Sequence, residues 1–140
     1  MAYAKDLKLA AHTLEVLIDP MSRRLEAHLP SLEKALNNLI DNAVKYSAEG
    51  TVISLKAYAD GDNYFISVSD QGPGIASRYQ NHIFEKFCRI PEQNRHTVKG
   101  LGLGLYISRA AIEQSGGSLN LTSSQGQGCT FTIKFPLHEG

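Results

Sequence analysis

The sequence predicts an α+β fold arranged as a two-layer sandwich, and three observations carry that expectation. Strand-patterned segments come in adjacent pairs, 51–59 with 63–70 and 118–123 with 129–135. Helix-period segments stand between these pairs rather than after each strand, which does not fit a doubly wound parallel sheet. A chain of 140 residues with 42% hydrophobic content suffices for one core and is too short for two ordinary domains, so residues 1–140 read as a single domain.

Residues 7–18 alternate loosely, with Leu7, Leu9 and Ala11 against Leu14, Val16 and Ile18, and predict a strand or two. From Pro30 the spacing turns helical, placing Leu32, Leu36, Leu39 and Ala43 on one face. Ser31 reads as the N-cap, Glu33 suits the first turn, and Glu49-Gly50 reads as the stop. The trio Asp60-Gly61-Asp62 joins the strands 51–59 and 63–70 into a hairpin. Gln71-Gly72-Pro73-Gly74 breaks regular structure, and a long polar stretch without clear pattern runs from there to Lys99. Leu103 to Ser115 is helical again, with Leu105, Ile107, Ala111 and Ile112 apolar and Gly116-Gly117 as its end. The last two strands flank the turn Gln125-Gly126-Gln127-Gly128.

Fourteen basic residues balance fourteen acidic ones, so no large net field draws in nucleic acid or an anionic membrane surface. Cys88 and Cys129 are far apart, and His12, His28, His82, His96 and His138 are scattered. Neither set has the spacing of a zinc site or a disulfide framework. A reducing cytoplasm is the expected home. No apolar run approaches the roughly 20 residues that a membrane span needs. The chain also reads as an excised domain, which leaves room for a longer, membrane-anchored parent.

Three constellations could carry chemistry. At about 100° per residue, Asn38, Asn42 and Lys45 fall within an arc of about 60° beside the apolar face of the first helix. They read either as a solvated face or as a metal and phosphate site, because Asn is a poor helix former and an amide oxygen can ligate Mg²⁺. Asp70 shares the alternation phase of Tyr64, Ile66 and Val68. It either opens the turn at Gly72 or accepts a hydrogen bond from the exocyclic amine of adenine, with Gly72 and Gly74 letting the backbone approach the base. Gly100, Gly102 and Gly104 alternate with Leu101, Leu103 and Leu105 before a helix. There they form either a flexible entry or a phosphate cradle of backbone N–H groups. Neither a Walker A loop nor a dinucleotide fingerprint is present.

Four motifs stand in order along the chain: Asn38-Asn42-Ala43-Lys45-Tyr46, Asp70-Gln71-Gly72-Pro73-Gly74, Phe84-Glu85-Lys86-Phe87 and Gly100-Leu101-Gly102-Leu103-Gly104-Leu105. Together they closely resemble the N, G1, F and G2 boxes of sensor histidine kinases, over roughly residues 32–136. The resemblance implies the Bergerat-type ATP-binding fold shared with gyrase B, MutL and the large heat-shock chaperones. In that fold a mixed, mostly antiparallel sheet is covered by helices on one face.

The resemblance further implies ATP and Mg²⁺ as cofactors, with Asn42 as metal ligand, Lys45 on a phosphate, Tyr46 packing on adenine and Asp70 reading it. Gly72, Gly74 and Ile75 would line the base pocket. Phe84 and Phe87 would anchor a lid from about Arg89 to Lys99, both of which could neutralise phosphate charge. Gly100 to Leu105 would bound the lid's phosphate end. Gyrase-like ATPases carry a water-activating Glu one turn before the metal Asn. Here that position is Asn38, which takes up no proton at neutral pH, so transfer to a side chain is favoured over hydrolysis.

Asn38, Asn42 and Lys45 would then be the catalytic set. His12 does not match the family's phosphoacceptor motif, so the acceptor is expected on a dimerisation domain outside this chain, with a response regulator further on and this domain itself a monomer. Cys129 replaces the usual Thr or Ser near adenine, Leu101 replaces a small hydroxyl residue and Cys88 a frequent Tyr. Cys129 and Leu101 motivate one rival, a pseudokinase that binds a partner with the same surface, and a serine kinase of the same fold is a second, sharing the boxes and differing in acceptor.

Overall fold

A computed structural model describes residues 13–18, 24–25, 29–47, 50–85, 104–124 and 126–138. Along the chain run β1 (Thr13–Ile18), β2 (Arg24–Leu25), α1 (Leu29–Tyr46), β3 (Val52–Asp60) and β4 (Asn63–Ser69). They are followed by α2 (Ser77–Gln80), α3 (Gly104–Gln114), β5 (Ser118–Ser123) and β6 (Cys129–His138). One sheet has the order β1-β3-β4-β6-β2, with β5 also paired to β6. β1 runs parallel to β3 and every other pairing is antiparallel, so the sheet is mixed and mostly antiparallel.

Alternation decides which face of the sheet is covered. Ile53, Leu55 and Ala57 of β3 are buried, as are Tyr64, Ile66 and Val68 of β4 and Phe131, Ile133 and Phe135 of β6. Residues of opposite phase, Lys56, Tyr58 and Lys134, are exposed. On that open face Tyr58 stacks on Phe65 with ring centroids 5.4 Å apart. α1 and α3 pack together on the apolar face. Ala35, Leu39, Ile40 and Ala43 of α1 and Ile112 of α3 complete the core. Each fully buried Leu or Ile there contributes roughly 1.5–3 kcal/mol relative to exposure.

Several elements differ from expectation. α1 begins at Leu29, so Ser31 lies inside the helix rather than capping it, and its first turn carries no acidic residue. Pro30 suits the first turn because the N–H it lacks would have no intrahelical acceptor. The helix ends at Tyr46, before Glu49-Gly50. Its buried stripe is centred on Ala35, Leu39, Ile40 and Ala43, with Leu32 and Leu36 only partly buried.

On α3 the expected apolar residue Ile107 is exposed and Ser108 is fully buried. A buried serine is tolerable because its hydroxyl donates to the Gly104 carbonyl one turn back, at 2.9 Å. Gly116 and Gly117 do end the helix, their N–H groups donating to Glu113 and Ile112 in the pattern of a glycine C-cap. The polar stretch after Gly74 is partly structured. Ile75, Ala76 and Ile83 are buried around α2, an anchoring that periodicity does not reveal.

Candidate functional site

At the end of β4 the chain leaves the sheet at Asp70, and β6 begins beside it at Cys129. The Asp70 N–H donates to the Cys129 carbonyl at 2.9 Å. In return Asp70 Oδ1 accepts the N–H of Cys129 at 3.1 Å and that of Gly72 at 2.9 Å. The turn-opening reading of Asp70 is what these bonds show, and the carboxylate stands half-buried. Among the described residues both bonds fall on Oδ1, which leaves the lone pairs of Oδ2 available to a further donor. Burial raises the Asp70 pKa, and the two backbone N–H groups offset only part of that rise.

The segment after Asp70 is tied to the turn between β5 and β6. Gly126 N–H donates to the Pro73 carbonyl. Ile75 N–H donates to Ser123 Oγ at 2.8 Å, and that hydroxyl donates to the Gly128 carbonyl at 2.8 Å. Gln80, the last residue of α2, donates its amide to the carbonyls of Ile75 at 2.7 Å and Ser123 at 3.1 Å. Two glycines permit the approach. Gly74 has φ +73° and a Cβ there would stand 2.1 Å from the Ser124 carbonyl oxygen. Gly128 has φ +82° and its Cβ would stand 2.1 Å from the Asp70 carbonyl oxygen. A side chain at either position is both strained and blocked.

Gly74 was expected to admit a base. Internal packing against the Ser124 carbonyl is by itself a sufficient reason for glycine there. Cys129 stands beside Asp70 at the start of β6. Its backbone N–H serves Asp70, while its thiol lies 3.4 Å from Ser123 Oγ. Burial pushes the thiol up to about 11. A hydroxyl pair stands one residue away, Ser69 and Thr130, with their oxygens 2.8 Å apart.

On α1, Asn38 and Asn42 are half-buried along the flank of the core stripe, and Lys45 is exposed. Of the trio expected to border the core, the two amides do so and Lys45 does not. At the start of α3, a Cβ on Gly104 would meet nothing within 4 Å. Among the described residues, packing does not demand glycine there, in contrast to Gly74 and Gly128. Open space at a helix N-terminus suits close approach of a phosphate. Leu105 packs against the core behind it. Phe84 meets Phe131 edge-on at 6.2 Å, and the Arg109 guanidinium lies 4.9 Å from the centre of the Phe84 ring.

A family model described as histidine kinase-, DNA gyrase B- and HSP90-like ATPase matches residues 27–139. The chain belongs to this family. A curated relative of this ATPase-family domain is the sensor-like histidine kinase SenX3 of Mycolicibacterium smegmatis. It is 36% identical over 132 residues, which is 92% of this chain and 34% of SenX3. The mycobacterial sensor histidine kinase MprB superposes with a TM-score of 0.78 at 27% identity, covering 94% of this chain and 85% of that one. Full-length ShkA, solved in complex with AMPPNP, superposes with a TM-score of 0.77 at 28% identity, covering 99% of this chain and 29% of that one.

The chain spans about a third or less of the curated relatives it matches. It corresponds to the ATP-binding catalytic domain of sensor histidine kinases, and the expected α+β fold with helices on one face is the fold observed. Among the described residues, no helix is long and apolar enough to cross a membrane.

Phe87, Arg89, Lys99, Gly100, Leu101, Gly102 and Leu103 lie outside the described residues, as does the side chain of Tyr46. Of the expected site, the structure brings together Asp70, Gly72, Gly74, Ile75 and Cys129. Sequence reasoning missed Ser123, Gln80 and Gly128. Gly128 carried a signal, since glycines at 126 and 128 bracket a turn beside a strand. Ser123 and Gln80 carried none, because their partners are backbone carbonyls and an amide N–H, groups that every segment carries.

Proposed function

We propose that the chain is the ATP-binding catalytic domain of a sensor histidine kinase, and that it transfers the γ-phosphate of ATP to a histidine on a separate dimerisation domain. The observation that carries this reading is Asn38, half-buried one turn before Asn42 on α1. An amide there accepts no proton from water, so the site lacks at that position the base a hydrolase would use. Family membership and the sensor-kinase relatives support the same conclusion. So does the nucleotide analogue in the ShkA complex.

In this reading Asp70 Oδ2 accepts a hydrogen bond from the adenine amine, and Gly72, Gly74 and Ile75 bound the base. Asn42 supplies an amide oxygen to Mg²⁺, and Lys45 and the start of α3 face the phosphates. Mg²⁺ would neutralise charge on the β- and γ-phosphoryl oxygens. A donor set of amide oxygen, phosphate and water suits that hard cation. The attacking imidazole nitrogen forms the new P–N bond as the bond from the γ-phosphorus to the bridging oxygen breaks, and ADP leaves. Positioning and charge neutralisation supply the catalysis. The phosphoryl group then passes to a response regulator. The domain works as a monomer on the cytoplasmic side, with a parent that is either membrane-anchored or free.

The test is phosphorylation of a cognate dimerisation domain supplied separately with Mg·ATP. The expected product is an acid-labile, base-stable phosphohistidine that Asn42→Asp abolishes or strongly reduces. An acid-stable phosphate would point to a serine acceptor. No transfer, together with no measurable ATP binding, would point to a partner-binding pseudokinase.

A further inference from the structure

Asp70 can read a base only if the backbone around it is held still, and the loop that follows it joins no strand ladder. From Gly72 to Ala76 the chain is irregular, lying between the end of β4 and the start of α2. Its far end is held against Ser123 by three bonds. Ser123 Oγ takes the Ile75 N–H, and the two hydrogens of one amide, that of Gln80, reach the Ile75 and Ser123 carbonyls. Gln80 thus joins two segments 48 residues apart in sequence at their point of contact. It is half-buried, which shields both bonds in part from water.

We propose that Gln80 is a positioning residue of the nucleotide site: by bracing Ile75 against Ser123 it holds the Asp70 loop in register for adenine. The proposal rests on the ATP-binding reading above and deepens it. Without Gln80 the loop is tied to the β5–β6 side by the Ile75 N–H on Ser123 Oγ and the Gly126 N–H on the Pro73 carbonyl, each a single bond about which its own end of the segment can turn. The Gln80 amide adds one bond to the carbonyl of Ile75 and one to the carbonyl of Ser123, and so restricts that freedom at the Ile75 end. Hydrogen bonds weaken steeply with misalignment, so a loop free to shift loses base reading before it loses its fold. The phosphate-facing groups of α1 and α3 are carried by other elements, and a slack Asp70 loop leaves them in place. Gln80 therefore acts on selectivity between bases more than on affinity for a triphosphate.

The experiment measures displacement of a fluorescent ATP analogue by Mg·ATP and by Mg·GTP from this chain. The wild type is compared with Gln80→Met, which keeps the length and removes both donors, and with Gln80→Lys, which restores N–H donors at similar reach. Gln80→Met is expected to weaken ATP about tenfold and GTP less than about twofold, so the preference for ATP falls. Gln80→Lys is expected to stay close to wild type.

Wild-type affinities in Gln80→Met would overturn the proposal. So would an equal loss for both nucleotides, which is what a merely structural staple predicts, or a Gln80→Lys variant as weak as Gln80→Met. Should Gln80→Met not fold, Gln80→Glu, isosteric and without donors, must show the same split. A wild type that binds neither nucleotide overturns the ATP-binding reading itself, an outcome distinct from all of these.

Discussion

Replacing Asp70 by Asn changes a single terminal group at a point where the structure separates two roles. Asp70 Oδ1 accepts two backbone N–H groups, from Gly72 and Cys129. An Asn side-chain oxygen in that place accepts the same two bonds, so the turn and the β4–β6 junction stay closed. The NH₂ group then falls where Oδ2 was. It presents a donor to the adenine amine, itself a donor, and the charge-assisted bond is lost. Hydrogen bonds to charged groups contribute about 1.5–3 kcal/mol, which corresponds to a loss of roughly 10- to 150-fold in ATP affinity.

Stability should move the other way, or not at all. Burial raises the Asp70 pKa, so the folded state holds this proton more tightly than the unfolded chain does. Native stability from this group therefore rises as pH falls through the window between the unfolded value and the raised folded one, and ionising Asp70 at neutral pH is a cost. Asn carries no such cost. Calorimetric titration with a non-hydrolysable ATP analogue, paired with thermal unfolding at pH 7, separates the two effects. Wild-type affinity in Asp70→Asn, or a fall in melting temperature as large as the loss of binding, would refute this reasoning. The same raised pKa predicts that ATP binding by the wild type fades on acidification at a pH above the ordinary Asp range.

Gly128→Ala and Gly104→Ala form a contrasting pair. The first forces a Cβ against the Asp70 carbonyl at positive φ and should destabilise by about 2–4 kcal/mol in urea denaturation. The second meets open space at the start of α3 and should leave stability unchanged or slightly higher, while weakening nucleotide binding. Leu39→Ala, at a position 1% exposed, should cost about 2–5 kcal/mol by the same assay and leave the residual ATP affinity of the folded fraction intact. With its thiol pushed up to about 11, Cys129 in the folded protein should alkylate slowly at pH 8 and faster with each rise toward pH 11. Peptide mapping distinguishes it from Cys88. Ionisation of the thiol in the unfolded chain first should also make native stability fall as pH climbs past the ordinary thiol value of 9.0.

Periodicity made much of the scaffold legible. The hairpin 51–70 and the strands around Gly128 match the structure closely, because alternation maps directly onto a sheet with one covered face. The helix 29–46 was legible in its face but not in its start. Ser31 has the chemistry of an N-cap, yet Leu29 and Pro30 already follow the helical path. Ile107 and Ser108 show the limit of binary patterning on α3. A small serine that satisfies its own hydroxyl lies against the core, and the larger apolar residue faces out. β2 was invisible, since two residues have no period and exist as a strand only through β6.

For the site, Asp70, Gly72 and the α1 amides were legible because each is a residue type that its local position does not ordinarily favour. What a sequence can encode locally it did encode here: the phase of each strand, the apolar stripe of α1, the breaks at Gly72 and Gly116, and an amide at position 38 where a base would be needed for hydrolysis. The tertiary structure alone decided which backbone amides hold the Asp70 carboxylate. It also decided why Gly74 and Gly128 must lack side chains, and that Gln80 and Ser123 brace the loop between them. Those facts depend on backbone groups of segments 48 and 59 residues apart meeting, the Ile75 N–H at the Ser123 hydroxyl and the Cys129 N–H at the Asp70 carboxylate. Backbone groups are the same at every position, so no pattern of side chains announces which of them will meet.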